Sequence, residues 1–221
     1  MLIDLTHVVK PGMPICPGDP SILVEPAATF PHNGFQTSKL TLSSHAGTHI
    51  DAPAHILREG AGLEHTPISQ FYGRAVTLDV SQVGPVITAE FLQAQNGMLR
   101  TVDFVLFYTG WEKKWDTPEY YQDGYPVPDE AAAKYLVSCG LKGVGTDAPS
   151  VDAMGDDGLP AHRVFLNDGM LIVESLCLKK VVGRKDFLFI ALPLKFENAD
   201  GAPVRAVAEL RESPEKEMSI L

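Results

Sequence analysis

The chain has 221 residues, of which 45% are hydrophobic and 21% charged, and these proportions exclude an intrinsically disordered chain. Its formal net charge of -10 at pH 7 excludes the basic surface that neutralises nucleic-acid phosphates, so we expect no nucleic-acid partner. No apolar run approaches the roughly 20 residues that span a bilayer, and the first residues lack a signal-peptide pattern, so we expect no membrane partner. A single domain over residues 1–221 is the simplest prediction.

Eight segments carry the apolar and β-branched residues that are typical of strands. They are residues 2–6, 35–43, 73–80, 103–110, 140–147, 170–176, 186–194 and 203–210. Two almost unbroken apolar runs, at 104–107 and 187–192, predict central strands that are buried on both faces.

Only two segments have helical signals. Residues 88–97 begin with Thr88 as an N-cap and are predicted to end at Gly97. Residues 128–140 open on a proline and early acidic residues and end at Gly140. Many strands with few helices predict an α/β domain with a mixed sheet.

The cysteine content favours a cytoplasmic protein. Cys16, Cys139 and Cys177 are odd in number and far apart, so they predict neither a disulfide framework nor a CxxC site. Disulfides are typical of secreted proteins, and their expected absence indicates a reducing compartment.

The stretch 45–55, HAGTHIDAPAH, contains three of the seven histidines of the chain. A helix would place His45 and His49 on one face, as in zinc-protease helices. However, Gly47 is a poor helix former and Pro53 cannot occupy a helix interior, so an extended conformation is favoured.

In an extended chain the polar residues of this stretch fall on one side at a period of two. These residues are His45, His49, Asp51 and His55. Two imidazoles and a carboxylate suit zinc, manganese or ferrous iron and leave positions open for water. The alternative is a strand whose polar side faces solvent.

The stretch reads H-x-G-T-H-x-D-x-P-x-H, which resembles the signature of the metal-dependent cyclase-like hydrolase family. This family includes bacterial kynurenine formamidases and isatin hydrolases. Four more segments are similar to family elements and occur in the expected order: GMPICPGDP at 12–20, TGWEKKW at 109–115, GVGTDAPSVD at 143–152 and LPLKFENADGAPVRAVA at 192–208. The resemblance implies a swivelling β/β/α fold and assembly as a homodimer or homotetramer.

The resemblance also implies a metal site with one or two divalent ions. His45, His49 and Asp51 match the ligands of the first ion, and Asp51 matches a bridge to a second. His162 and Glu174 match the distal ligand pair. From the residues alone, His162 could instead cap a helix, and Glu174 could pair with an arginine or lysine. Zinc is the expected ion because of the nitrogen ligands, and manganese is the alternative.

The implied reaction is hydrolysis of a small amide C–N bond by a metal-bound hydroxide. His55 matches the catalytic histidine of the family, and the ordinary pKa of imidazole suits it to move the proton to the leaving nitrogen. Asp147 is a candidate for orienting a ligand histidine, or alternatively for capping backbone amides in its loop.

The substrate is less constrained. Cys16 stands where the formamidases of the family carry a tryptophan. Five other aromatic residues are candidates for lining the pocket or, alternatively, for covering a core edge: Trp111, Trp115, Tyr120, Tyr121 and Tyr125. Three hypotheses follow: a hydrolase of a cyclic amide or an N-formyl aryl amine, kynurenine formamidase proper, and a metal- or ligand-binding protein without turnover. The complete set of His45, His49, Asp51 and His55 argues against the third hypothesis, because a binding protein needs no general acid–base group.

Overall fold

The computed structural model describes residues 1–210. The strands are β1 (Leu2–Asp4), β2 (Leu23–Ala28), β3 (Thr37–Thr41), β4 (His49–Asp51), β5 (Tyr72–Asp79), β6 (Val86–Ile87), β7 (Phe104–Tyr108), β8 (Val127–Pro128), β9 (Gly143–Thr146), β10 (Leu171–Glu174), β11 (Phe187–Pro193) and β12 (Gly201–Glu209). The α-helices are α1 (Phe30–Asn33), α2 (Ala89–Gln93), α3 (Asn96–Leu99), α4 (Glu130–Ser138) and α5 (Pro160–Asn167). Short 3₁₀ helices span Pro53–His55, Leu63–His65, Ile68–Phe71, Trp111–Lys114, Pro118–Tyr121 and Lys179–Val181. None of the helices within residues 1–210 is long and apolar enough to cross a membrane.

One mixed sheet of eight strands organises the described chain, in the order β1-β12-β11-β5-β7-β9-β10-β4. Strands β5, β7, β9 and β10 are parallel neighbours. The other pairings in this sheet are antiparallel. Strand β4 also pairs with β12, so the sheet closes on itself. The hairpin β2–β3 stands apart as a separate two-stranded sheet.

Two hydrophobic cores divide the molecule into three layers. Alternate residues of β7 enter different cores: Phe104 packs against Phe189 of β11, while Val105 and Phe107 face the helices, where Phe165 of α5 lies. The layers are therefore the antiparallel strands, the parallel strands and the helices. This arrangement confirms the predicted β/β/α fold with a mixed sheet and few helices. The assignment of residues 1–221 to a single domain stays a prediction, and residues 211–221 lie outside the described part.

All eight predicted strand segments contain a strand, and most of the strands are shorter than the segments. The run at 104–107 is buried on both faces, as predicted, because parallel strands have helices on one side and the second sheet layer on the other. The prediction for 187–192 is wrong. Leu188 and Ile190 are partly exposed, because no helix among residues 1–210 covers the outer face of antiparallel β11.

The predicted helix at 88–97 is divided into two short helices. Thr88 caps α2, since its side chain accepts a hydrogen bond from the Phe91 backbone N–H. Gly97 does not end a helix as predicted but lies inside α3. In α4 the cap is Asp129, which accepts from the Ala132 N–H at 2.7 Å.

Candidate metal centre

Strand β4 carries His49 and Asp51 and lies between β10 and β12 in the closed sheet. Its register with β10 places Glu174 opposite His49. Its register with β12 places Gly201 opposite Asp51, with Asp200 just before the strand. Strand pairing thus brings together acidic residues that are far apart in the sequence.

The predicted extended conformation of the histidine stretch holds only for the three residues of β4. His45 lies in a turn before the strand, and His55 lies at the end of a 3₁₀ helix after it. Gly47 has a φ of 68°, a left-handed conformation that favours glycine, and its carbonyl oxygen lies 2.8 Å from Nδ1 of His49. The chain therefore turns His45 and His55 towards Asp51 instead of aligning them along one strand.

The five predicted metal ligands meet in one place, which we call the ligand cluster: His45, His49, Asp51, His162 and Glu174. Asp51 Oδ1 lies 2.8 Å from Nδ1 of His45 and 3.4 Å from Nε2 of His49. Asp51 Oδ2 lies 3.6 Å from Nε2 of His162. The two carboxylate oxygens of Glu174 lie 3.4 Å from Nε2 of His49 and 3.4 Å from Nε2 of His162. Asp51 is therefore at the centre of the cluster.

The contacts of Glu174 and His162 contradict the two alternative interpretations, in which Glu174 pairs with an arginine or lysine and His162 caps a helix. Glu174 is buried, and within residues 1–210 its ion-pair contacts are His49 and His162, with no arginine or lysine. Its Oε1 also accepts from the Val151 N–H at 3.0 Å. His162 lies in the first turn of α5 but does not cap it, because Asp152 accepts the backbone N–H groups there.

The ligand cluster fits divalent cations by its chemistry and by its spacing. Asp51 Oδ2 is buried without a hydrogen-bond partner, which is costly unless another group satisfies it. The separations of 3.4–3.6 Å are long for hydrogen bonds, but two ligands of a tetrahedral zinc ion are about 3.4 Å apart. Three sets of potential ligand atoms each lie within 4.8 Å of one another: His45, His49 and Asp51; Asp51, His162 and Glu174; and His45, His55 and Asp200. Asp51 belongs to the first two sets, so the residues of the ligand cluster fit two ions with one shared carboxylate.

The carboxylates of the ligand cluster favour protonation of its histidines. Burial opposes protonation of His49, but Asp51 and Glu174 raise its pKa well above its ordinary value. His162 is likewise desolvated, yet its hydrogen bond to Asp152 and the nearby acids raise its pKa to about 10. Because a metal ligand must be deprotonated, cation binding here would release protons.

Asp152 fixes the orientation of His162. Its Oδ2 lies 2.7 Å from Nδ1 of His162, so it can accept that N–H and leave Nε2 free for an ion. Asp152 also accepts the backbone N–H groups of Ala161 and His162 at the start of α5. The sequence analysis missed this residue, although it is the last acid of the segment GVGTDAPSVD.

The prediction that Asp147 orients a ligand histidine is wrong, and the alternative is correct. Asp147 Oδ1 accepts from both the N–H and the hydroxyl of Thr109 at 2.6 Å, and Oδ2 accepts from the Glu112 N–H at 3.3 Å. These bonds hold the loop after β7. Asp147 directly follows β9 and its side chain is turned towards the neighbouring strand end, away from the ligand cluster.

The burial of Asp147 leads to a prediction on stability. Burial raises the pKa of Asp147 from 3.8 to about 6, although hydrogen bonds from Thr109 and Glu112 oppose the rise. Because the pKa of Asp147 is higher in the folded state than in the unfolded chain, protonated Asp147 favours the folded state. This contribution to the free energy of unfolding is complete below about pH 4 and is lost as the pH rises through about 6. The shift corresponds to about 3 kcal/mol.

We expect Asp147→Asn to change how the free energy of unfolding depends on pH. From about pH 4 to pH 7, the free energy of unfolding of the variant should rise relative to wild type by up to about 3 kcal/mol. Urea unfolding of both metal-free proteins across this range measures the difference, and any constant cost of altered hydrogen bonds cancels. Parallel curves would contradict the prediction.

His55 faces the ligand cluster from the 3₁₀ helix. Its ring centroid lies 4.1 Å from that of His45 and 5.9 Å from that of His162. Burial lowers the pKa of His55, and although Asp51 opposes this effect, His45 and His162 lower the pKa further. His55 is thus neutral at pH 7, the state in which an imidazole accepts a proton.

A cavity of about 400 Å³ opens onto the ligand cluster. Its lining includes Cys16, Asp19, Tyr121, Met154, Asp156, Asp157 and Leu159 together with His45, His49, His55, His162 and Glu174. The positions of Cys16 and Tyr121 in this lining agree with the prediction.

Trp111 and Trp115 do not line this cavity, contrary to the prediction. The indole N–H of Trp111 donates to the Tyr120 carbonyl at 2.8 Å, and its ring is buried in an aromatic cluster. Trp115 stacks on His7 with ring centroids 3.8 Å apart. Both rings cover an edge of the core, which agrees with the alternative interpretation of these residues.

Three histidines and two carboxylates thus meet beside a cavity at the closed sheet, a donor set that suits divalent ions next to a small ligand. The chain belongs to the cyclase family: the family model described as "Putative cyclase" matches residues 3–153.

Known relatives cover nearly the whole chain. It is 38% identical to a kynurenine formamidase of Salinibacter ruber (strain DSM 13855 / M31), over 97% of this chain and 99% of the relative. The solved structure of a potential metal-dependent hydrolase with cyclase activity is 30% identical, with a TM-score of 0.77 over 96% of this chain and 99% of that chain. An isatin hydrolase bound to the product analogue thioisatinate has the same fold, with a TM-score of 0.86 at 24% identity over 96% of this chain and 92% of that chain.

Proposed function

We propose that this protein is a metal-dependent hydrolase that cleaves the C–N bond of a small amide, either a cyclic amide or an N-formyl aryl amine. The observation that carries the proposal is the position of Asp51 between two sets of potential ligand atoms, in a cluster that opens onto a cavity next to His55. The kynurenine formamidase relative and the metal-dependent hydrolase neighbour support this reaction type.

Two sets of residues in the ligand cluster would hold the two ions. His45, His49 and Asp51 would hold one ion, and Asp51, His162 and Glu174 a second. When bound, a divalent cation lowers the pKa of water towards neutrality and polarises an amide carbonyl.

His55 is positioned to accept the proton of the attacking water and to deliver it to the leaving nitrogen. That transfer is needed because an amide nitrogen leaves as the neutral amine. The cavity of about 400 Å³ suits a small molecule, and its volume lies within the usual range of ligand pockets, about 300–1,000 Å³. Zinc is the proposed ion because of the three imidazoles, and manganese is the alternative.

The proposal is tested by metal removal together with a substrate panel. Chelator treatment should abolish hydrolysis of the best substrate, and zinc or manganese should restore it. The panel compares N-formylkynurenine with an isatin-like lactam. Preference for the first would assign kynurenine formamidase proper, and preference for the second a hydrolase of cyclic amides. A protein that binds metal but turns over neither these compounds nor simple formanilides would be a binding protein, and the proposal would fail.

We further propose that the enzyme assembles as a homodimer or homotetramer, with a small amide as its ligand and no nucleic-acid or membrane partner. The support is the hairpin β2–β3, which carries exposed apolar residues. These are Leu23 (44% exposed), Val24 (41%), Phe30 (65%), Phe35 (56%) and Leu40 (59%). Large exposed apolar patches are typical of protein interfaces.

We also propose a cytoplasmic location. The thiols of Cys16, Cys139 and Cys177 are free, which supports this location.

We expect sedimentation analysis to give an assembly of two or four chains for the wild type. The double variant Phe30→Ser/Phe35→Ser should shift the protein towards the monomer, because it removes the two aromatic rings from the hairpin. A wild type that sediments as a monomer at micromolar concentration would contradict the proposal.

A further inference from the structure

His45 differs from the other histidines of the ligand cluster in having a carboxylate oxygen within 3.0 Å of each ring nitrogen. Nδ1 lies 2.8 Å from Asp51 Oδ1, and Nε2 lies 3.0 Å from Asp200 Oδ2. Nδ1 is on the side of Asp51 and His49, where the first ion would bind. With an ion held at Nδ1, Nε2 would carry the hydrogen, and Asp200 would be its acceptor.

The backbone beside Asp200 is shaped around the same ring. Gly201 is the first residue of β12 and lies opposite Asp51 in the pairing with β4. A Cβ atom at Gly201 would lie 2.6 Å from Cε1 and 2.9 Å from Nε2 of His45, closer than packed atoms allow. The ring thus rests directly on this backbone, between the carboxylates of Asp51 and Asp200.

The three histidines share one pattern of outer support. Nδ1 of His49 lies 2.8 Å from the Gly47 carbonyl, and Nδ1 of His162 lies 2.7 Å from Asp152. Only His45 uses Nδ1 for the ligand cluster, so its support must come from the opposite side of the ring. Asp200, at the start of β12, is the residue that reaches that side.

We propose that Asp200 is a positioning residue that holds His45 as the Nε2–H tautomer and aims Nδ1 at the ion shared with His49 and Asp51. This inference rests on the proposed metal centre. Carboxylates in such positions contribute about 10–100-fold to metal affinity. The contribution is expected for the ion at His45 and not for the ion at His162 and Glu174, apart from coupling through the shared Asp51.

The test is a zinc titration of the full chain against a competing chelator. Asp200→Ala should weaken one of the two zinc-binding steps by about 10–100-fold and leave the other nearly unchanged. Asp200→Asn should lose less affinity, because an amide oxygen can still accept the Nε2 hydrogen. The matched control is Glu197→Gln, an exposed carboxylate in the same loop, which should titrate as wild type.

A double-mutant cycle with His45→Ala separates positioning from a general structural role. If Asp200 acts through His45, Asp200→Ala should add little to the loss caused by His45→Ala. Additive losses, equal weakening of both steps, or a wild-type titration of a folded Asp200→Ala variant would each overturn the inference. Failure of the wild type to bind zinc or manganese at all would instead be failure of the proposed metal centre.

Gly201→Ala provides a second variant that leaves the carboxylate of Asp200 in place. Its new methyl group should displace the His45 ring and weaken the same zinc-binding step as Asp200→Ala. Unchanged binding in this variant would contradict the tight seating of the ring.

Discussion

Asp51→Asn is expected to remove bound metal from both sites and to reduce kcat/KM by more than about 10⁴-fold, the upper limit for a single general acid–base group. Asp51 is the residue common to the two sets of ligand atoms, so a single substitution affects both. An amide in its place keeps the size of the side chain but carries no negative charge. Three imidazoles would then share the single carboxylate of Glu174 as their anionic ligand.

Metal analysis of protein purified without chelator measures this effect directly. Wild type should contain close to two equivalents, and Asp51→Asn less than one. Asp186→Asn is a suitable control, because Asp186 is an exposed residue that pairs with Arg74 outside the ligand cluster. Retention of two equivalents by Asp51→Asn would show that the ions do not share this carboxylate. The proposed centre would then need a different set of ligands.

The fold was largely predictable because most of the strands lie in continuous apolar segments. The apolar pattern of such a segment indicates which of its faces are buried. For β7 the unbroken apolar run correctly predicted burial on both faces. The same reasoning failed for β11, since no helix in the described part of the chain covers its outer face and Leu188 and Ile190 remain partly exposed. Composition shows that a residue can be buried, but not whether another element of the fold is available to cover it.

The ligand cluster was predictable only in part. The local spacing of His49 and Asp51 follows from the strand period, but His45 and His55 approach Asp51 through a turn and a 3₁₀ helix. His162 and Glu174 came from the family resemblance, because no local pattern encodes the register that places Glu174 opposite His49.

The two aspartates of the segment 143–152 illustrate the limit of sequence reasoning. Asp147 and Asp152 are both buried loop acids after the same strand. Asp147 points to the loop at Thr109, whereas Asp152 points to His162 at the start of α5. The direction of a side chain after a strand end depends on the following turn, which neither composition nor spacing specifies.

His55→Ala is expected to reduce kcat/KM by about 10²–10⁴-fold, the usual contribution of a general acid–base group, while both ions remain bound. The separation of these two effects follows from the geometry. The ring of His55 lies beside His45 and lines the cavity. His55 belongs to the set with His45 and Asp200, and not to either of the two sets of ligand atoms that share Asp51. Steady-state kinetics on the best substrate, with metal analysis of the same sample, measures both.

Rescue of the His55→Ala variant by added imidazole is a second test of the role of His55 in proton transfer. The cavity of about 400 Å³ can admit a small base into the space left by the missing ring, so imidazole should restore part of the lost rate. Loss of metal together with activity would mean that His55 is a ligand, and unchanged activity would remove it from the proton transfer. Because Asp51→Asn should abolish metal binding and His55→Ala should spare it, the pair distinguishes the residues that hold the ions from the residue that moves the proton. A binding protein without turnover would show the first effect and have no activity for the second to reduce.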